Sequence, residues 1–177
     1  MNRSQPPPSG PVLPTGLNHL VLRVRDLDRS HRFWSELLGF RQTGEWRATP
    51  ERPWKFRFYS GGDERGLHHH HIGLREDDTL PPVEEAGPAN ALSHVAISYA
   101  DRDAWLAQIR FLADNDVEIR RVDHGMTHSA YIKDPDGYTV EVVYDLPGEM
   151  WRHEIDDALN YYEPRPGDEL VDRISHT

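Results

Sequence analysis

The chain has 177 residues and a mass of 20.5 kDa, the size of one domain or of two small modules sharing a core. It contains no cysteine, and 30 acidic residues against 20 basic ones give a formal net charge of -10. These counts exclude disulfide scaffolds, thiolate metal sites and cysteine nucleophiles, and they argue against nucleic acid or an anionic membrane surface as partner. No apolar run approaches the roughly 20 residues that span a bilayer, and the N-terminus lacks an apolar signal-peptide core, so a soluble cytoplasmic protein is expected.

Residues 1–15 are rich in proline, short of backbone donors and without a core-facing stripe, and are expected to form a disordered arm. Folded structure is expected from Gly16, where GLNHLVLRV alternates with the period of a strand. Asp26 and Asp28 are candidate helix caps, Phe33, Trp34, Leu37 and Leu38 follow at helical spacing, and Gly39 is a stop. The segment ALSHVAISYADRDAWLAQIRFL repeats this design 75 residues downstream, with His94 in the place of His19 and Asp101 in the place of Asp26. Three strand-like runs follow each copy, at about 42–47, 54–60 and 67–74, then 117–122, 128–133 and 138–144. The expected fold is α+β, two βαβββ modules (16–76 and 91–146) in one domain over 16–146. The acidic, proline-containing stretch 77–90 links the modules. A C-terminal helix, with Trp151, Ile155, Ala158, Leu159 and Tyr162 on one face, and a loose tail fill 147–177.

A single strand histidine is most often a hydrogen-bonded structural group. The repeat changes the weighing, because His19 and His94 hold matching positions and both face away from the greasier, helix-covered side of their strands. Beside His94, Ala96 and Ser98 are small enough to leave room for a ligand. Glu141 sits alone among valines in the last strand, where it either meets solvent, pairs with an arginine or completes a metal site. Two imidazoles and one carboxylate leave adjacent positions open on a six-coordinate metal, the set used by non-haem Fe(II) oxygenases.

These residues resemble the vicinal oxygen chelate superfamily, over about residues 16–145. The resemblance lies in LNHLVLRVRDLDRSHRFWSELLGF, LSHVAISYADRD and DPDGYTVEV, and it implies that the two modules form a curved mixed sheet around a metal cavity, with metal binding by His19, His94 and Glu141. VDHGMTHSAYIKDPDGYTVE further resembles the signature of compact type I extradiol dioxygenases, with His124, Tyr131, Asp134, Pro135, Gly137 and Glu141 in step and Ala130 out of it. LHHHHIGL resembles the strand that carries their acid–base histidine, which the alignment places at His70, with His69 and His71 turned to the opposite face. The resemblance thus implies Fe(II), O2 and a small catechol, a catechol amino acid such as L-DOPA among the candidates, with His124 and Tyr131 hydrogen-bonding the bound oxygens. A glyoxalase-like or epimerase-like lyase or isomerase, and a ligand-sequestering resistance-type binding protein, are the alternatives. A glyoxalase-like enzyme is expected to carry a further metal-binding carboxylate or amide between Leu67 and Leu74, and none is there. Pseudo-symmetric modules pair within one chain or are exchanged between chains, so a homo-oligomer is compatible with the sequence.

Overall fold

Asp26 accepts hydrogen bonds from the backbone N–H groups of Asp28 (2.8 Å) and Arg29 (2.9 Å), and Asp101 accepts one from Ala104 (2.8 Å). The same capping chemistry therefore starts the helix of each repeat. The computed structural model describes residues 16–46, 48–51, 53–62, 69–83 and 92–165. The expected N-terminal arm, the second half of the inter-module link and the last twelve residues lie outside these.

In chain order the elements are β1 (Leu20–Val24), α1 (Leu27–His31), β2 (Arg41–Trp46), β3 (Phe56–Ser60), β4 (Ile72–Glu76), β5 (Val95–Ser98), α2 (Arg102–Asp114), β6 (Arg120–Asp123), β7 (Thr127–Lys133), β8 (Thr139–Asp145), α3 (Ile155–Asn160) and β9 (Glu163–Pro164). α1 continues into π-helical turns over Arg32–Leu37, and Gly39, at φ +78°, ends the segment. The α+β class and the doubled βαβββ unit stand as expected. The curved sheet is two sheets, one per module, in the orders β1-β4-β3-β2 and β5-β8-β7-β6-β9. The first strand of each module pairs in parallel with its last, Val21 opposite Gly73 and Ala96 opposite Glu141.

The helix-covered faces of both sheets share one hydrophobic core, where Leu22, Val24 and Trp34 of the first module join Trp105, Leu112, Val140 and Val142 of the second. The DPDG turn between β7 and β8 fastens the modules together. Asp134 Oδ1 accepts from the backbone of Asp136 and Tyr138, both at 2.9 Å, and Gly137 takes φ +84°, as the tight turn requires. Asp136 is thereby aimed into the first module, where its carboxylate accepts from Arg25 N (3.1 Å), Arg29 Nη2 (3.0 Å) and Ser30 Oγ (3.2 Å).

The C-terminal segment departs from the single amphipathic helix. Two 3-10 turns, at Gly148–Met150 and Arg152–Glu154, precede the six-residue α3, and Ile155 and Leu159 are exposed. Only Trp151 of that face packs on the core, its Nε1–H donating to Leu146 O (3.0 Å). Beyond it, Glu163 and Pro164 add to the outer edge of β6 where a loose tail was expected, and Arg165 N donates to Arg121 O (3.1 Å). Among the described residues no helix is long and apolar enough to cross a membrane.

Candidate functional site

The second module assembles a connected polar line. β7 and β8 pair Tyr131 with Glu141, and β6 brings His124 alongside. Tyr131 donates its hydroxyl hydrogen to Glu141 Oε1 (3.1 Å), and His124 Nε2 lies 2.8 Å from the Tyr131 hydroxyl oxygen. The other oxygen, Glu141 Oε2, is 3.1 Å from His94 Nε2. Burial, reinforced by the neighbouring Glu141 charge, raises the Tyr131 phenol well above its ordinary value, so it remains protonated and donates. Glu141 is buried while the His94 side chain is 40% exposed, so the carboxylate is fixed in the wall and the imidazole stands at its mouth. The Arg120 guanidinium lies 4.4 Å from the centroid of the Tyr131 ring and donates to Tyr162 Oη (2.9 Å). The sequence did not single out Arg120 and placed Tyr162 on a helix face, because the β9 pairing that draws this segment over the sheet involves only two residues.

The first module gathers imidazoles. His19 Nδ1 lies 2.7 Å from Asn18 Oδ1, and the His19 ring is 4.4 Å from that of His70 and 6.2 Å from that of His69. His70 also lies 4.8 Å from Phe58 and shares a 2.7 Å Nδ1 to Nδ1 contact with His69. His69 does not turn to the opposite face: β4 begins only at Ile72, so strand alternation does not govern residues 69 and 70. His71 instead has Nδ1 3.2 Å from both Ser60 Oγ and Gly61 N. Arg23 pairs with Asp77 (2.5 Å) and Arg57 with Asp28 (2.6 Å), so both arginines are engaged in ion pairs.

His94 and Glu141, two of the three expected ligands, thus meet; His19 stands with His70. His19 and His94 do line one cleft of about 1030 Å3, with Ala96 and Ser98 in its wall, but Glu141 is not part of that lining. Among the described residues no three histidine, aspartate or glutamate side chains gather so as to hold a metal ion. Within one copy, the described residues therefore bring two of the three expected donors together and leave His19 beside His70.

Comparison with known proteins gives the family context. The model of the Glyoxalase/Bleomycin resistance protein/Dioxygenase superfamily matches residues 16–142. The probable lactoylglutathione lyase of Vibrio parahaemolyticus is 32% identical over 128 residues, 71% of this chain and 87% of the relative. The lactoylglutathione lyase of Haemophilus influenzae is 33% identical over 127 residues, again 71% of this chain and 89% of the relative. Among solved structures, the trypanothione-dependent glyoxalase I of Leishmania major superposes with a TM-score of 0.56 at 25% identity, over 82% of this chain and 93% of that one. These relatives overturn the expectation of an extradiol catechol dioxygenase and its O2 chemistry. The His124, Tyr131 and Glu141 spacing that suggested it is the register of β6, β7 and β8, which such a hairpin keeps whatever reaction takes place beside it.

Proposed function

The chain belongs to the Glyoxalase/Bleomycin resistance protein/Dioxygenase superfamily, and from that premise we propose that it is a metal-dependent lyase or isomerase of the lactoylglutathione lyase kind. Its substrate in this reading is the adduct of a small thiol and a 2-oxoaldehyde. The observation that carries the proposal is the pair His94 Nε2 and Glu141 Oε2, 3.1 Å apart on an open sheet face. Two donor atoms about 2.1 Å from one cation and at right angles to each other lie about 3 Å apart, so this pair fits one edge of a coordination shell. The donors are nitrogen and carboxylate oxygen, which suit a divalent metal.

A divalent cation held by His94 and Glu141 would supply Lewis acidity to the substrate. The thiol adduct and the 2-hydroxyacyl thioester are isomers that differ by one carbon-bound proton moved to the adjacent carbon and one hydroxyl proton moved between the two oxygens. In this reading Glu141, the buried carboxylate of the face, carries the carbon-bound proton, and the hydroxyl proton passes between the two adjacent substrate oxygens. Tyr131, whose hydroxyl is itself in contact with His124, holds the carboxylate's orientation from behind, so Oε2 stays toward His94.

The third donor is His19 from a second copy of the chain. What supports this is that the two modules bury their helix-covered faces in one core while Val21, His19, His94, Ala96 and Ser98 remain exposed. A two-fold pair would set the first module of one copy against the second module of the other.

The test is formation of thioester from methylglyoxal and glutathione by metal-loaded protein, followed by ultraviolet absorbance, with oxygen uptake on a catechol panel run in parallel. Thioester formation without oxygen uptake is expected; oxygen uptake with a catechol and no thioester would overturn the proposal. Mixing re-associated His19→Ala and Glu141→Ala copies should restore about a quarter of the wild-type sites, since half the dimers are mixed and each holds one intact site. No recovery would reject the exchanged arrangement.

A further inference from the structure

The internal repeat assigns every site position of the second module a counterpart in the first. His94 corresponds to His19, and Ala96, which lies opposite Glu141, corresponds to Val21, which lies opposite Gly73. Tyr131 pairs across the sheet with Glu141, and Phe58 pairs with Gly73. A symmetric site would therefore carry a second carboxylate at position 73, where this chain has hydrogen. That place is also crowded: a Cβ on Gly73 would come within 3.1 Å of Val21 Cγ2 and 3.2 Å of Phe56 Cε1. Phe56 and Phe58 stack at 5.2 Å beside it.

An imidazole lies where a donor is missing. The His70 ring is half-buried between His19, at 4.4 Å, and Phe58, the residue opposite Gly73, at 4.8 Å. Its neighbour His69 is exposed and farther from His19, at 6.2 Å. His19 has its Nδ1 bound to Asn18, which presents Nε2 as the coordinating nitrogen.

We infer that His70 replaces the absent carboxylate as the first module's second metal donor, so the complete site is His19 and His70 of one copy with His94 and Glu141 of the other. This rests on the metal-dependent reading above. Three imidazole nitrogens and one carboxylate oxygen form a site that favours Zn(II), Ni(II) or Co(II) over the oxygen-seeking Mg(II), Mn(II) and Ca(II).

The experiment is metal binding by the full-length apoprotein, with Zn(II) and Mg(II) titrated separately and nitrogen donors counted by X-ray absorption on the Zn-loaded protein. Wild type should bind Zn(II) far more tightly than Mg(II) and show three imidazoles. His70→Ala should weaken Zn(II) binding by more than about 10-fold and leave two imidazoles, while His69→Ala keeps three. If His70→Ala binds Zn(II) as wild type does while His19→Ala and Glu141→Ala lose it, the donor set stops at three and this inference falls alone. If none of the variants changes binding, the metal-dependent reading falls with it. A wild-type preference for Mg(II) overturns the nitrogen-rich site.

Discussion

The two modules share a topology, a capping aspartate and a parallel pairing of first strand with last, yet their open faces differ in chemistry. The second sets Glu141, Tyr131, His124 and His94 in one hydrogen-bonded line. The first puts Gly73 and Phe58 at the positions equivalent to Glu141 and Tyr131, packs them with Val21 and Phe56, and keeps imidazoles only at the start of the strands. A duplicated scaffold thus holds two unequal halves: one supplies a buried carboxylate with its proton network, the other an aromatic wall with nitrogen donors. The scaffold survives such divergence because the helix-covered faces, which carry the shared core, are separate from the faces that carry the chemistry.

The largest expected effect tests that division directly. Glu141→Ala should abolish metal binding and thioester formation while the protein stays folded, checked by metal analysis and circular dichroism. A variant that retained metal would move the centre away from this half.

Next comes the turn that only the second module has. Asp136→Ala removes the acceptor shared by Arg25 N, Arg29 and Ser30, and should destabilise the fold by about 3 kcal/mol, read as a lower urea midpoint. An unchanged midpoint would show that the modules are held by their common core alone.

Gly73→Ala is the counterpart of Glu141→Ala and should behave oppositely. The added methyl meets Val21 and Phe56 at 3.1 and 3.2 Å, so stability should fall by about 1–2 kcal/mol with Zn(II) binding retained.

The smallest effect is a dependence on pH. Burial raises the Asp134 carboxyl from its ordinary 3.8 to about 7, and its Oδ2 is buried without a hydrogen bond. Between those values the folded chain keeps a proton that the unfolded chain releases, so Asp134 makes stability fall as pH rises from about 4 to about 7. Asp134→Asn should flatten this part of the profile, measured as urea midpoints from about pH 4 to pH 8. An equally steep decline in the variant would assign the dependence to other groups.

Much of the architecture was legible because it is local and stated twice. Asp26 and Asp101 cap at fixed distance from an apolar stripe, Gly39 stops a helix, and DPDG can hardly be anything but a tight turn. The hairpin that follows was legible for the same reason, and with it the meeting of Tyr131 and Glu141. What the sequence did not reveal depends on the relation between modules. Nothing in the spacing of His19 says that its neighbour is His70 and not Glu141, since that is decided by how the two sheets pack. The reaction was misread because a histidine, tyrosine and glutamate in register belong to the hairpin rather than to any one chemistry. At the C-terminus, Ile155 and Leu159 have helical spacing but stay exposed, since of that face only Trp151 reaches the core.

The short pairing of Glu163 and Pro164 along β6 bears on how these molecules behave when crowded. A bare outer strand offers unsatisfied amides and carbonyls on which another chain can template itself. Proline at the outermost position has no amide hydrogen to offer and a ring that resists further extension. The second sheet therefore ends in a guarded border, and strand-by-strand growth into fibrillar aggregates is discouraged at that side.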